Sequence, residues 1–442
     1  MAAYAAADSL VQAGAEPSVA ILEKMPRPGR KIMITGKGRC NFSNIKGWNE
    51  FSGHVRSGSA FVKSAFFNLS SRAMLEFLES YGLQTVVERG DRAFPLSHHA
   101  SDVVDTLVNA CLGRGVKIET ECQVTGVTPA DGGFAIESAD GRRYSCKKLI
   151  IATGGLSYPS SGSSGDGYAW AAAMGHSIKQ CLPSLTALVP KGYKAVSQIV
   201  SSGMKGHIDR SSPLSDMGKA LCGVQLKNVG LSLSIDGNEV DSTFGDVDFT
   251  DGGIEGPAGF QLSRKAVRAI FNGSKAALCL DLKSGVPAEE LAARVNELWE
   301  GIRKDPRSER IREKEKCRIL LGKLMPWELI PGFTLCNPDI MATVSMGKKG
   351  AATLVRTSAL AKALKKWDFE LAGYVGYERA VVTAGGVSTD EVLPKTMESR
   401  LVAGLYLCGE VLDIDSDTGG YNLQTAFSTG CLAGRSAAKS LL

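Results

Sequence analysis

Three runs near the C-terminus carry the reading of the fold: Val381-Val-Thr-Ala-Gly-Gly-Val387, Gly404-Leu-Tyr-Leu-Cys-Gly-Glu410 and Asp417-Thr-Gly-Gly-Tyr-Asn-Leu-Gln-Thr-Ala426. Leu405 to Cys408 is a short apolar run of the kind found in a buried parallel strand. Such a strand delivers Gly409 and Glu410 to whatever lies beyond its C-terminal end. Gly419-Gly420 then reads as a turn opening a helix, whose first amides, at Tyr421, Asn422 and Leu423, have no carbonyl one turn back. Free amides and the helix dipole favour negative charge at that spot. A reduced flavin, which is electron-rich near N1, is the kind of guest they suit.

Working outward, Leu149-Ile-Ile-Ala-Thr-Gly-Gly155 is a second apolar strand, ending in Thr153, Gly154 and Gly155. It belongs to an expected strand over Tyr144 to Ile151 and feeds a Ser/Gly-rich loop, Ser157 to Gly167. An Ala-rich helix follows from Tyr168 to Met174. At the N-terminus, Met1 to Ala13 reads as a helix closed by Gly14. Ser18 to Leu22 is a strand ending on Glu23. Helix, strand and acid in that order form the back half of a dinucleotide-binding unit, in which the acid grips a ribose and follows the glycine fingerprint by roughly 20 positions. Counting back puts those glycines at or before Met1. The chain as written is therefore expected to lack the first strand and glycine turn, and to hold a dinucleotide poorly. Pro28 to Asn44 adds Gly36 and Gly38, which free the backbone to approach an anion, with Lys31, Lys37 and Arg39 beside them.

Helices are expected over Ser70 to Tyr81 and Ala100 to Leu112, and strands over Gln123 to Thr128 and Phe134 to Ser138. From about Pro183 the character changes to short β-like runs that continue to about Leu282. Pro287 to Trp327 follows as a charged helical block, and the middle of the chain reads as an insertion into a nucleotide-binding domain. At 442 residues the chain exceeds a single core. Its net charge of +5 is small and ungathered, so no nucleic-acid footprint is expected. The run from Arg303 to Arg318, interleaved with acids, reads as a solvated helical face. The 11 cysteines contain no CxxC pair, no secretory signal opens the chain, and no apolar run is long enough to span a membrane, so a cytoplasmic protein with free thiols is expected. The five histidines show no zinc spacing, and no metal is expected. Cys40, with no second cysteine until Cys111, reads as a packing or cofactor-lining residue rather than a redox thiol. No nucleophile elbow is present, and the catalytic residues are not assigned.

The stretches GRKIMITGKGRCNFSN, FTDGGIEGPA, VTAGGVSTDEV and GLYLCGEVLDIDSDTGGYNLQTAFSTG together resemble those of the BaiN-like, aminoacetone-oxidase-like family of NAD(P)/FAD-dependent oxidoreductases. The resemblance covers nearly the whole chain. It implies an α/β protein in which a glutathione-reductase-type, Rossmann-like FAD domain is interrupted by β-barrel-like and small helical domains. The boundaries it suggests are 1–187 and 376–442 for the FAD domain, 188–284 and 336–375 for the β-rich domain, and 285–335 for the helical one. It also implies that Glu23 holds the adenosine ribose and that Val124 meets the adenine side through its backbone. Lys31 and the loop Gly36, Lys37, Gly38, Arg39, Cys40 and Asn41 would line the cofactor. Thr153, Gly154, Gly155, Gly409, Glu410, Gly419, Gly420, Tyr421, Asn422 and Leu423 would surround the diphosphate and flavin.

The barrel motif departs from the family at Asp251 to Glu255, where charge replaces small or polar residues. The implied function is hydride transfer between FAD and a small, partly apolar substrate, with NAD(P)H as the expected electron donor. The alternatives are a flavin-dependent RNA-modifying enzyme and a non-catalytic, truncated homologue.

Overall fold

Leu405–Leu407 pairs in parallel with Leu149–Ile151, and Ala20–Leu22 pairs in parallel with Lys117–Glu119. These two pairs are the parallel strands of the nucleotide-binding unit, and both end toward one place. Beyond Ala20–Leu22, the Lys24 ammonium meets Asp166 at 2.5 Å and also reaches Ser164. Asp166 opens the helix that follows Leu149–Ile151. Ligands of open α/β sheets gather beyond the carboxyl ends of the strands, so this convergence positions the site.

The computed structural model describes residues 1–195, 204–345 and 351–442. The described chain divides into two compact units, Met1–Ser184 with Ala380–Leu442, and Leu185–Arg379. The expected ranges 188–284 and 336–375 include residues 196–203 and 346–350, which lie outside the described residues.

In the first unit the helices Ala2–Gln12, Ser71–Ser80 and Ala100–Leu112 form where apolar periodicity and end signals place them. Ser70 caps the second by accepting from the Ala73 amide, and Gly14 takes the left-handed conformation (φ +76°) just beyond the first. The C-terminal helix, Tyr421–Lys439, lies against Ala2–Gln12 with almost no gap. A Cβ on Gly434 would fall 2.1 Å from the Ala2 carbonyl oxygen, so only glycine permits this approach. The core around the Leu405–Leu407 strand includes Ile151, Val387, Val411, Leu412 and Tyr421. Leu405 and Leu407 are fully buried, and each contributes about 1.5–3 kcal/mol of hydrophobic stabilisation.

Three sequence expectations are corrected. Tyr144 to Ile151 is not one strand: Arg143–Cys146 pairs antiparallel with Gly133–Ser138, and Leu149–Ile151 leaves for the parallel pair. The break falls at Lys147-Lys148, where the chain changes sheets. Val382–Val387, read with the nucleotide-binding elements, pairs antiparallel with Ile178–Ser184 rather than joining the parallel strands. The third concerns Pro183 to Leu282, which was expected to hold only short strands. It contains the long hairpin Gln225–Ile235 and Asn238–Thr250, and a 16-residue helix, Gly256–Phe271. Pro257 sits in the first turn of that helix, where a missing N–H costs nothing, so the Gly-Pro pair starts the element instead of breaking it.

The second unit centres on a closed antiparallel barrel ordered Leu188–Pro190, Gly253–Glu255, Asn238–Thr250, Gln225–Ile235, Ala276–Asp281 and Trp367–Tyr374. The charged block forms the helices Ala288–Lys304 and Glu313–Leu324. Glu255 is buried, and its two oxygens accept from Nε and Nη2 of Arg379, whose Nη1 reaches Asp251 at 2.9 Å. The two acids of the barrel motif are thus paired with Arg379 within their own unit. Among the described residues no helix is long and apolar enough to cross a membrane.

Candidate functional site

The C-terminal helix supplies the centre of the site. Gly419 and Gly420 are both left-handed (φ +116° and +97°), and no side chain caps the helix start. The turn is forced as well as permitted, because a Cβ on Gly420 would lie 2.3 Å from the Ser43 carbonyl oxygen. Asn41 stands beside it, with its Oδ1 buried and without a hydrogen-bond partner among the described residues. A buried acceptor left unmade costs about 1–3 kcal/mol, so this atom suits a donor from a bound molecule. Thr425 Oγ1, in the same helix, is likewise buried and unpartnered.

Asn422 is committed to the protein: its Oδ1 accepts from the Ser416 amide at 2.9 Å, and its Nδ2 donates to the Ser416 and Asp417 carbonyls. It shapes the loop before the helix. The first-turn amides, including those of Tyr421 and Leu423, are what the helix offers.

Gly409 is left-handed (φ +73°), and its amide donates to Thr429 Oγ1 at 3.0 Å. Next to it, the Glu410 carboxylate joins distant parts of the chain. Its Oε1 accepts from Ser157 Oγ at 2.6 Å and from the Thr383 amide at 2.8 Å, while its Oε2 accepts from Lys31 Nζ at 2.5 Å. Lys31 also donates to Ser157 Oγ at 2.6 Å. Thr383 Oγ1 accepts from the amides of Leu156 and Ser157, closing the loop after Gly155 onto the Val382–Val387 strand. Gly155 must be glycine there: a Cβ would sit 2.5 Å from Thr383 Oγ1 and 2.9 Å from Glu410 Oε1. Gly154 is left-handed (φ +76°), and Thr153 Oγ1 lies against Gly167 in the following helix.

Lys31 lies in the short helix Arg30–Ile34, which leads into a turn where Gly36, Lys37 and Gly38 are all left-handed. Arg39 stacks on Phe94 (4.5 Å to the ring centroid), contacts His98 Nδ1 at 2.9 Å and pairs with Glu88. Cys40 is fully buried, and burial pushes its thiol up to about 11. A thiol in that state is neutral at physiological pH and unreactive, as the packing role requires. Val124 opens a strand paired with Ser138.

Glu23 follows its strand, and its Oε1 accepts from the Met25 amide at 2.8 Å. Burial raises its carboxyl above the usual carboxylate range, against the smaller help of that amide and of Lys24 and Arg30. A raised folded-state pKa means that the folded chain holds the proton more tightly than the unfolded one. The resulting cost to stability is absent at pH values below the unfolded pKa and complete above the folded one. Glu23→Gln keeps an acceptor for Met25 without the charge. It is expected to raise the melting temperature of the cofactor-free protein at pH 7, to leave it unchanged near pH 4, and to weaken FAD binding. Thermal melts at the two pH values and an FAD titration check this.

Sequence reasoning missed Ser157, Thr383 and Thr429 as supports of Glu410 and Gly409, and also missed His54, Arg56 and Asp417 beside the helix start. Thr383, Asp417 and Thr429 lay inside quoted runs and Ser157 opened the Ser/Gly-rich loop, but their types carry no motif, and His54 and Arg56 lay outside every marked stretch.

The family profile of the HI0933-like protein Rossmann domain matches residues 1–436. A 3-dehydro-bile acid delta(4,6)-reductase of Clostridium scindens is 30% identical over 98% of this chain and 96% of its own length. Ribosomal RNA dihydrouridine synthases of Escherichia coli and Haemophilus influenzae are each 28% identical, over 96% and 93% of this chain and 93% and 90% of their own lengths. The expected class, an FAD-dependent oxidoreductase, agrees with these relatives, as does the resemblance read from the motifs. With a match spanning almost its entire length, the chain belongs to the HI0933-like Rossmann-domain family.

Proposed function

We propose that the chain binds one FAD and reduces a carbon–carbon double bond conjugated to a carbonyl in a small, partly apolar molecule, with NAD(P)H as electron donor. The observation that carries the reading is the uncapped, glycine-led start of the Tyr421–Lys439 helix beside the buried, unpartnered Asn41 Oδ1. These residues fit a flavin: the amides offer positive potential to an electron-rich edge, and Asn41 offers an acceptor to an N–H or hydroxyl. Glu23 has the chemistry to accept ribose hydroxyls, and Gly154 and Gly409 keep backbone free of side chains near the strand ends.

Bound flavin supplies hydride chemistry. The protein's share is to place it, to exclude water and to deliver a proton. The relatives' names support the type of bond. A delta(4,6)-reductase of a 3-dehydro substrate saturates double bonds conjugated to a ketone, and dihydrouridine is uridine with a ring double bond saturated next to a carbonyl. Both are electron-poor alkenes, suited to hydride addition at the β-carbon and protonation at the α-carbon. A small molecule is favoured over ribosomal RNA by the low net charge of +5. The synthase relatives support RNA as a second reading.

Purified protein mixed with FAD is expected to turn yellow, with absorbance near about 450 nm, and to bleach anaerobically with NADH or NADPH. A protein that stays colourless in excess FAD overturns the reading. RNA affinity that falls steeply with salt transfers it to the second.

A further inference from the structure

Residues Ser52 to Ser57 are zipped onto the loop that leads into the C-terminal helix. The Asp417 amide donates to the His54 carbonyl at 2.9 Å, the Arg56 amide donates to the Asp415 carbonyl at 2.8 Å, and Val55 bridges Ser416. This lays the His54 imidazole on Tyr421, the first residue of that helix, with ring centroids 4.3 Å apart and planes 19° from parallel. His54 Nδ1 lies 3.0 Å from Asp417 Oδ2. Arg56 donates to both oxygens of the same carboxylate, at 2.6 and 2.5 Å. The Asp417 side chain is only 11% exposed, whereas that of His54 is 37% exposed. His54 Nε2 has no hydrogen-bond partner among the described residues.

We propose that His54 is the general acid that protonates the α-carbon in the reduction described above, with Asp417 as its positioning residue. The assignment rests on that reading of the site. An ionised carboxylate only accepts hydrogen bonds, so Asp417 fixes the proton of the neutral ring on Nδ1 and leaves the lone pair on Nε2. A second proton therefore enters and leaves at Nε2, and Asp417 stabilises the resulting imidazolium. This division of labour between an orienting carboxylate and a working imidazole is a general one.

One proton and two electrons would reach the substrate's β-carbon together as hydride from the reduced flavin. The carbon–carbon π pair moves to give an enolate, the His54 Nε2–H bond breaks, and its proton goes to the α-carbon. The neutral imidazole then regains a proton from water. The sum is one hydrogen on each carbon, oxidised flavin, and a histidine returned to its starting state.

Other groups near the helix start do not suit the task. The Tyr421 hydroxyl is pushed up to about 12, chiefly by burial, with Lys46, Asp417, Asp91 and Glu50 as the charges around it. The buried Cys40 thiol is pushed up to about 11. Both are protonated at neutral pH, but Cys40 is fully buried and Tyr421 is only 3% exposed, so neither exchanges a proton with water as directly as the His54 ring, which is 37% exposed. The groups facing the His54 ring itself are Asp417, with Arg56 on the same carboxylate, and Tyr421.

The test uses FAD-loaded protein reduced with dithionite and then mixed anaerobically with 2-cyclohexen-1-one, following the return of flavin absorbance. His54→Asn is expected to keep its flavin, reduce normally and slow reoxidation about 100-fold or more, within the range found for general acids. It should also lose the decline in rate that wild type shows as pH rises through the imidazole range. In protein free of substrate and cofactor, ¹⁵N NMR is expected to show neutral His54 protonated on Nδ1, and Asp417→Asn to weaken that tautomer preference. Equal reoxidation rates and pH profiles in wild type and His54→Asn overturn the assignment alone, as does a neutral ring protonated on Nε2. Wild-type protein that holds reduced flavin but is not reoxidised by the enone overturns the parent reading as well.

Discussion

Gly420→Ala is expected to abolish flavin binding and to destabilise the first unit by several kcal/mol. The methyl group would land 2.3 Å from the Ser43 carbonyl oxygen, 2.4 Å from the Ser43 carbonyl carbon and 2.9 Å from Asn41 Oδ1. Backbone atoms cannot yield as a flexible side chain can, so either the Tyr421–Lys439 helix or the Ser43-Asn44 strand must move. The left-handed backbone (φ +97°) adds about 1–3 kcal/mol of strain for a residue with a side chain. Gly38→Ala is the matched control. Gly38 is also left-handed (φ +87°), but a Cβ there would meet nothing within 4 Å, so only the strain remains. Urea unfolding should therefore show a small loss for Gly38→Ala and a much larger one for Gly420→Ala. Comparable losses would mean that close packing at Ser43 does not hold the helix start.

A comparable effect is expected at Glu410. Its carboxylate and the Lys31 ammonium are 17% and 24% exposed, and the pair is completed by Ser157 and the Thr383 amide. Glu410→Ala removes the acceptor common to all three donors and leaves a largely buried ammonium without its counter-charge. Breaking such a pair from one side costs about 3–5 kcal/mol when fully buried, and this one should fall toward the lower end because it is partly exposed. The loop after Gly155 and the strand Val382–Val387 would also come apart, so flavin occupancy should drop together with stability. Pairing Glu410→Leu with Lys31→Met is expected to recover most of the stability, since an apolar pair of similar size avoids the stranded charge. Flavin binding should stay weak in the double variant if the network also shapes the cofactor site. Equilibrium unfolding and flavin absorbance measured on the same samples separate the two effects. Unchanged unfolding in Glu410→Ala would show that water already satisfies Lys31.

The two variants probe different kinds of information. Gly420 was legible in the chain itself, because two glycines ahead of an apolar, helix-forming run are a local signal. The role of Glu410 was legible only in part. Its place after a buried strand marked it as lying at the site, but both carboxylate oxygens are bonded to the protein rather than left for a ligand. Asn422 shows the same difference, since its side chain grips Ser416 and Asp417 instead of facing outward.

By itself, the sequence determined the helices Ala2–Gln12, Ser71–Ser80 and Ala100–Leu112, the strand Leu405–Leu407 and the glycine turn at the start of the last helix. Each rests on apolar spacing, end signals or backbone freedom, which act over a few neighbouring residues. The tertiary structure alone decided that Lys31 meets Glu410 across 379 positions and that His54 meets Asp417 across 363. It also decided that Val382–Val387 turns antiparallel to Ile178–Ser184, and that Gly256–Phe271 is helical in a stretch expected to hold short β-like runs. Side-chain partners and strand direction depend on which surfaces the collapsed chain brings together, and a local pattern holds no record of that.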